Sequence, residues 1–491
     1  MRTIAVFVMS AATALAADAG VQSAGPAGAA GSAVAQADKD AKTKKDGKPK
    51  KTKEEKAASK AAKAAAKANR VAPDAASDSD QVVTDQPGKG ARAQWKQHPS
   101  IRFGNVFRLD FQAKIQEDGH HSGYADSQLQ DWELHRNRYG IQGKLFKDVE
   151  FEVEREFKER ELTEKEILEE RTPASPWKDV NVNLAFIKNA QVQIGKFKIP
   201  FGLDQLTGVT HNDFVYRSLG ANYLSPARDI GIQAHGRFFK RGLNYWAGVF
   251  QHDGDNARSK KIQGGDETLA ARVTGTPFRH AGIPGLEIGT AFSYSKLTDD
   301  SFRPNGLRGR TVVTQDTFYD PVYVKGHRRR WEADADWTLG GATVRGEYTI
   351  VSDDRFGQGL ADDDLPSARA QSWYVAGTYI VTGDAKERPL RPDRELFAGG
   401  FGAVEVVGRF ERLWFDSTSP FGVDQAYRSP RAETILPSGE KALTLGINWT
   451  LNRWIKLQVN AIREHVEDSD RNPVSNGAAF WSRVLRLQFV L

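Results

Sequence analysis

The chain has 491 residues, of which 39% are hydrophobic and 10% aromatic, and it contains no cysteine. Without cysteine it cannot rely on disulfides or on a thiol nucleophile, so disulfide scaffolds and thiol enzymes are excluded. The formal net charge of +6 is local, because residues 38–70 alone hold 13 Lys and Arg against 5 Asp and Glu. The rest of the chain is therefore slightly acidic.

Residues 1–16 have the pattern of a secretory signal peptide. Arg2 supplies the positive charge, residues 4–8 are apolar, and Ala14, Leu15 and Ala16 form a small-residue cleavage site. We expect this segment to be removed after export. Because export separates the protein from cytoplasmic nucleic acid, no nucleic-acid partner is expected.

Residues 17–94 form a low-complexity tail rich in Lys and Ala. Its stretch at 51–70 lacks Gly and Pro and favours a helix, but it has no stripe of large apolar residues that could pack a core. We interpret the tail as a solvated periplasmic extension. The alternative is docking on an anionic polymer of the cell envelope, which the density of lysines permits. The folded domain is expected at residues 95–491.

From residue 101 onwards, apolar and polar residues alternate with the period of a β-strand. In the stretch 149–157, Val and Phe alternate with four glutamates, and similar alternation occurs at 331–337, 342–350 and 455–461. A row of carboxylates is costly in a dry core but natural beside a wet lumen. The pattern predicts an all-β protein, a transmembrane antiparallel β-barrel surrounded by the lipid of the bacterial outer membrane.

The end of the chain and the connections fit this interpretation. Trp481, Leu485, Leu487, Phe489 and Leu491 share one face, so the last strand is expected to close the barrel against the first. Tight connections such as 146–148 alternate with long polar ones at 252–265, 299–325 and 352–370. This predicts short periplasmic turns and long external loops.

Three segments in order, residues 135–148, 193–219 and 227–233, resemble motifs of the phosphate-selective porin O and P family. The tail lies outside this resemblance. The resemblance implies a homotrimer of 16-stranded barrels, in which a loop at about residues 200–227 folds inwards and narrows the lumen. It also implies a passive outer-membrane channel for small anions such as phosphate, without catalysis and without a cofactor.

The family's anion-selective members line the channel with arginines and a few lysines, and Arg136, Lys196, Lys198 and Arg217 match such positions. A guanidinium offers oxyanions a two-pronged donor, and Lys acts as a point charge. For Arg136 and Arg138, neutralisation of the glutamates at 150–156 is the alternative. For Arg228 and Arg237 the alternative is structural pairing with Asp229. The candidate anion-guiding residues are Arg136, Arg138, Lys196, Lys198, Arg217, Arg228 and Arg237. Expected to be mainly structural are Arg272, Arg345 and Arg409.

The sequence also departs from the family pattern. His135 precedes Arg136 where phosphate-selective members tend to have paired arginines, and Gln205 replaces the central lysine of the loop. Gly208 and Val209 replace the serines that follow. These losses leave a general anion pore as an alternative to a dedicated phosphate channel.

Metal sites and catalytic centres are not predicted. His120-His121 and residues 253–256 lack the spacing of a metal site, so we expect solvated loop tips there. Residues 362–364 are expected to be a charged loop that could bind cations loosely. The sequence offers no nucleophile elbow or triad order. The remaining alternatives are a non-conducting structural or adhesive barrel anchored by its basic tail, a lipid hydrolase, and a sugar porin with aromatic tracks.

Overall fold

The computed structural model describes part of the chain, and every described residue belongs to the structural unit Ala57–Leu491. The predicted signal peptide and most of the predicted tail lie outside the described residues. Strand β1 begins at Ala91, inside the segment predicted as tail. The described residues are 91–95, 98–104, 106–124, 132–158, 175–239, 242–254, 267–279, 283–298, 304–419, 425–427, 429–467 and 478–491.

Twenty strands run through the described residues, and sixteen of them form the wall of a closed antiparallel barrel. A hairpin of β1 (Ala91–Trp95) and β2 (Pro99–Phe103) precedes the wall, and β12 (Gly309–Arg310) pairs with β13 (Thr317–Tyr319) inside a loop. The wall strands are β3 (Phe107–Ser122), β4 (Trp132–Leu145), β5 (Val149–Glu156), β6 (Trp177–Leu184), β7 (Gln191–Lys198), β8 (Arg228–Phe238), β9 (Leu243–Phe250), β10 (Thr268–Gly275), β11 (Leu286–Leu297), β14 (Gly326–Leu339), β15 (Ala342–Arg355), β16 (Leu365–Ile380), β17 (Ala403–Ser417), β18 (Ser438–Thr450), β19 (Ile455–Val466) and β20 (Ala479–Val490).

The last strand closes the barrel against the first, as predicted. β20 pairs with β3 from Ser482 opposite Ser122 to Val490 opposite Lys114. Leu491 and Ala113 then exchange two backbone hydrogen bonds of 2.8 and 3.1 Å. The start of β3 is paired instead with β2, whose Ser100 lies opposite Asp110. Closure satisfies the backbone groups that an open sheet edge would expose to lipid.

Outward and inward residues alternate along the wall. On β20, Leu487 and Phe489 are exposed, whereas Arg486 and Gln488 are buried. The outer face is therefore apolar and suits lipid, while the inner face is polar. Among the described residues, no helix is both long and apolar enough to cross a membrane.

The two ends of the barrel differ in their connections. Turns at 146–148, 340–341 and 451–454 are short and share one end, which in outer-membrane barrels is the periplasmic end. One periplasmic connection is an exception, because residues 381–402 between β16 and β17 are long. The long loops lie at the other, external end.

Within the described residues, two loops make extensive contacts inside the lumen. The loop at 199–227 carries helices α1 (Leu203–Leu206) and α2 (Leu219–Tyr223), which confirms the predicted inward-folded loop. We call it the constriction loop. The second, residues 304–325, follows β11 at the external end as predicted, but it is buried against the constriction loop and is not the polar loop that the sequence predicts. Its buried residues pack with Val215, Leu219 and Leu224 of the constriction loop in one apolar cluster, and they are Leu307, Val312, Val313, Phe318, Tyr319, Val322 and Val324.

Candidate functional site

The constriction loop is fixed to the barrel by short polar contacts at its base. Asp204 Oδ2 accepts from the Ser218 backbone N–H at 2.7 Å, and Glu347 of β15 accepts from the Asp204 N–H at 3.0 Å. Ser218 caps α2 by accepting from Ala221 N–H at 3.3 Å. A Cβ at Gly220 would lie 2.0 Å from Ser372 Oγ, so the absence of a side chain lets the loop lie this close to the wall.

The tip of the loop rests on strands β18 to β20. Arg486 Nη1 donates to Val215 O at 2.6 Å, and Asn460 Oδ1 accepts from the Val215 N–H at 2.9 Å. Lys456 Nζ donates to Asn212 O at 2.9 Å. These wall residues satisfy backbone groups that the loop would otherwise leave buried and unpaired.

A cluster of charges holds the tip from the periplasmic side. Lys386 and Arg388, from the long periplasmic connection, reach Asp213 at 2.5 and 3.9 Å, and Arg345 lies 3.9 Å from the same carboxylate. Although burial alone raises the pKa of Asp213, these three cations hold that pKa well below its usual range. We call Asp213 with Lys386, Arg388 and Arg345 the periplasmic clamp.

A cavity of about 90 Å³ lies beside this clamp. It is lined by the clamp residues Asp213, Lys386 and Arg388, by Thr210 and His211 of the loop, and by Lys456. Sequence reasoning missed the clamp. The sequence feature that could have indicated the clamp is the length of the polar segment 381–402 between two barrel strands. Periplasmic turns of outer-membrane barrels are usually short.

Arg136 and Arg138 both face the lumen but have different neighbours. Arg138 is buried and pairs with Glu156 at 2.7 Å and Glu154 at 3.2 Å. Arg136 donates to Gln116 Oε1 and has no ion pair within the described residues, and its Nε has no hydrogen-bond partner there. Arg138 therefore neutralises glutamates of the row at 150–156, whereas Arg136 forms no ion pair with them.

The four candidate anion-guiding residues on strands β7 and β8 also differ in their positions and contacts. Lys196 lies opposite Val180 and Ile230, which are both exposed on the outer face, so Lys196 belongs to the outward row. Lys198 Nζ donates to Leu206 O at 2.9 Å and Thr207 O at 3.1 Å and so supports the constriction loop.

Arg228 forms a two-pronged ion pair with Asp179, at 3.1 and 2.7 Å. It does not pair with Asp229, the partner considered from the sequence. Arg237 lies opposite Asn244, whose amide donates to Thr274. Arg237 is thus placed near the periplasmic end of β8, away from the constriction loop.

Arg217 lies within the constriction loop. Its Nη2 donates to Thr207 O at 2.6 Å, while its buried Nη1 has no partner among the described residues. Burial lowers the pKa of Arg217 to about 10, with Asp204 opposing the shift and Arg228 and Arg138 adding to it. Arg217 is therefore still a cation at neutral pH. Arg136 lies beside the same loop, because Gln116, which accepts from Arg136, donates in turn to Val209 O at 3.3 Å.

Two of the residues that replace family positions have defined surroundings. Gln205 is buried within α1, and Val209 O accepts from Gln116 Nε2 at 3.3 Å. Arg272, Arg345 and Arg409, expected to be structural, pair with carboxylates on the wall: Glu332 at 2.8 Å, Asp336 at 2.8 Å and Glu411 at 2.7 Å, respectively.

Two expectations about loop tips are wrong. His120 is buried within β3 and faces the lumen, whereas its neighbour His121 is exposed. Asp253 is also buried, where Arg328 and Arg330 bind it. Alternation of strand faces explains the histidines, and inward folding of the first residues after β9 explains Asp253. Among the described residues, Asp118, His120 and Glu133 form a group with metal-ligand chemistry.

An apolar outer wall, a closed sheet of sixteen strands and a loop folded into a polar lumen define an outer-membrane porin. The family model for phosphate-selective porin O and P matches residues 104–491, and the chain belongs to this family. The protein is therefore a porin of the bacterial outer membrane, in which small solutes diffuse through the lumen. The fold and family are those of non-enzymatic channels.

Solved structures with a similar arrangement have low sequence identity. An anion-selective porin from Comamonas acidovorans is 13% identical and covers 78% of this chain and 100% of its own, with a TM-score of 0.47. OmpF of Salmonella typhi in complex with daunomycin is 12% identical, covers 79% and 98%, and has a TM-score of 0.49. OmpT of Vibrio cholerae is 12% identical, covers 78% and 98%, and has a TM-score of 0.48. A search of curated proteins returned no significant match.

Proposed function

We propose that this porin favours small anions, with phosphate among its solutes. The observation that carries the proposal is the pair Arg136 and Arg217, which face the lumen region of the constriction loop without a carboxylate partner among the described residues. In a narrow lumen with low-dielectric walls, cations without an ion-pair partner attract anions. Both residues are only partly buried, and a guanidinium group can donate to the oxygens of an oxyanion.

The same contacts limit how tightly phosphate is held. Arg138 and Arg228 are occupied by carboxylates, and Lys198 is directed to loop carbonyls. Of the candidate arginines beside the constriction loop, Arg136 and Arg217 then remain for the solute. We infer selection by charge with weak phosphate binding, which lets the ion enter and leave.

The test is the reversal potential of the purified porin in a planar bilayer under a potassium chloride gradient, repeated with phosphate added. We expect a reversal potential that favours chloride, and partial block of the chloride current by millimolar phosphate. Preference for potassium would contradict the proposal, because it would mean that the lumen carboxylates determine selectivity. Anion preference without any block would remove phosphate and leave a general anion pore.

Two variants test which positive charges set the anion preference. Arg136→Gln removes an uncompensated charge and is expected to lower the anion-to-cation permeability ratio by roughly threefold. Lys196→Gln removes one positive charge from the outward row and serves as the matched control, with the ratio unchanged. Equal shifts in both variants would show that total charge, and not its position in the lumen, sets the preference.

We also propose that the porin is a homotrimer. The family likeness implies this assembly, and one solved structure of Vibrio cholerae OmpT is titled as a trimer form. Light scattering of the detergent-solubilised protein would give the mass, and a monomer would contradict the proposal. The signal peptide and the tail's contact with an anionic envelope polymer stay predictions, testable by N-terminal sequencing of the mature protein and by a polymer pull-down.

A barrel with restricted conductance is the second candidate, because one observation favours it. The apolar cluster joins the constriction loop to residues 304–325 and to wall residues such as Leu413 and Phe415, and so places apolar side chains across the external part of the lumen. Absence of single-channel conductance in a correctly folded sample would support this structural role. Regular conductance steps would exclude it.

A further inference from the structure

A cluster of imidazole and carboxylate groups lies on the inner wall near the external end of β3 and β4. Asp118 and His120 belong to β3, and Glu133 belongs to β4. One ligand atom from each of the three side chains lies within 4.8 Å of the others. Asp118 and His120 are buried, whereas the Glu133 side chain is 31% exposed, so the cluster is open on one side.

The distances within the cluster suit a small metal ion. His120 Nε2 lies 3.5 Å from Glu133 Oε1. A further nitrogen, His135 Nδ1, lies 3.3 Å from both Glu133 Oε1 and Asp118 Oδ2. Ligand atoms about 2.0–2.2 Å from a tetrahedral zinc ion are roughly 3.3–3.6 Å apart, so these separations need little change for binding.

Cationic side chains contact both carboxylates of the cluster. Arg486 donates to both oxygens of Asp118 at 2.6 Å. Lys158 Nζ donates to Glu133 Oε2 at 2.8 Å, which leaves Oε1 directed to His120 and His135. Outer partners of this kind orient ligating groups in metal sites. They also offset the two negative charges, so any metal ion bound here is held mainly by its ligand bonds and with moderate affinity.

We propose that Asp118, His120 and Glu133 bind a divalent transition-metal ion of the zinc class, beside His135. Two or more imidazole and carboxylate donors favour Zn²⁺ over Ca²⁺, which prefers six or more oxygen ligands. The bound ion adds positive charge to the lumen wall close to Arg486 and the constriction loop. This inference is independent of the proposed anion preference, since it concerns binding and not conductance.

The test is a zinc titration of the full-length, untagged and chelator-treated porin by isothermal calorimetry. We expect one Zn²⁺ per chain, with Ca²⁺ unable to displace it. His120→Ala and Glu133→Gln are each expected to weaken zinc binding by at least about tenfold. Displacement of zinc by an equal concentration of Ca²⁺ would overturn the proposal, because it would indicate an oxygen-only site.

The matched control is His121→Ala, which removes the adjacent and outward-facing histidine. It is expected to bind zinc as the unchanged protein does. If His120→Ala and His121→Ala bind zinc equally well, the cluster is a set of histidine–carboxylate hydrogen bonds only and the proposal fails. Should the variants not fold, as judged by heat-modifiable migration on gels, the zinc K-edge spectrum of the unchanged protein decides. Imidazole scattering supports the site, and its absence overturns it.

Discussion

Strands β14 and β4 both carry arginines into the lumen, but the two regions treat them differently. Arg328 pairs with Asp353 and Asp253, and Arg330 pairs with Asp253, so each guanidinium on β14 has a carboxylate. On β4, Arg138 is also paired, but Arg136 contacts the amide of Gln116 and has no ion pair among the described residues. The charge that acts on solutes in the lumen therefore cannot be judged by counting arginines. A paired arginine supports the wall, and an unpaired one remains to act on solutes.

Removing the shared carboxylate on the β14 side should have the largest effect. Asp253→Asn leaves Arg330 buried without a carboxylate partner, while Arg328 keeps Asp353. Loss of one partner from a buried ion pair typically costs about 3–5 kcal/mol, so we expect a large fall in the temperature at which the barrel unfolds. Heat-modifiable gel migration or circular dichroism measures it. Asp362→Asn, in an exposed loop, is the control, and an equal effect there would contradict the pairing argument.

The periplasmic clamp should be less sensitive. In Asp213→Asn, Lys386 keeps Glu405, and Arg388 and Arg345 keep Asp336, so no cation is left alone. We expect a stability loss of about 1–2 kcal/mol and a constriction loop that is less firmly held, visible as added noise in single-channel current. A quiet channel with unchanged conductance would show that the clamp does not position the loop.

The same clamp sets a pH dependence. Because the folded protein holds the pKa of Asp213 below its usual value, the contribution of this carboxylate to stability is complete above about pH 4 and is lost as the pH falls below that value. Current recorded between pH 8 and pH 3 should therefore stay quiet until the acidic end. Asp213→Asn should be noisy throughout. Onset of noise near neutral pH would point to a different titrating group.

The smallest effect is expected when a complete ion pair is removed. The double variant Arg138→Gln with Glu156→Gln deletes one charge of each sign, so the net charge of the lumen is unchanged. We expect a shift in reversal potential below about one third of the shift caused by Arg136→Gln. Equal shifts would mean that Arg138 also acts on solutes despite its partners.

The wall could be predicted from the sequence because strand alternation is local. Rows such as residues 149–157 reveal which residues share a face, and the apolar row at 481–491 predicts closure. The position of the constriction loop followed from the family motifs. The pairing of Arg138 with Glu154 and Glu156 was considered from the sequence as an alternative, because the two strands are consecutive.

The remaining features depend on contacts between distant segments. Lys386 reaches Asp213 across the lumen, and Glu133 meets His120 only through the register of β3 and β4. Lys196 shows a different limit, since a strand pattern does not state which face is inner when a polar residue stands in the outward row. The inward path of residues 304–325 had a local signal, because apolar residues interrupt a segment read as polar.

The hairpin that precedes the wall has a consequence for where the chain can be cut. One edge of strand β3 pairs with two different strands. β20 pairs with it from Lys114 onwards, and β2 pairs with Phe107–Asp110. The family likeness begins at residue 104, after β2 has ended. An expression fragment trimmed to that boundary would start with a bare strand edge at the seam, able to recruit a strand from another molecule. Fragments meant to stay dispersed should therefore begin before Pro99.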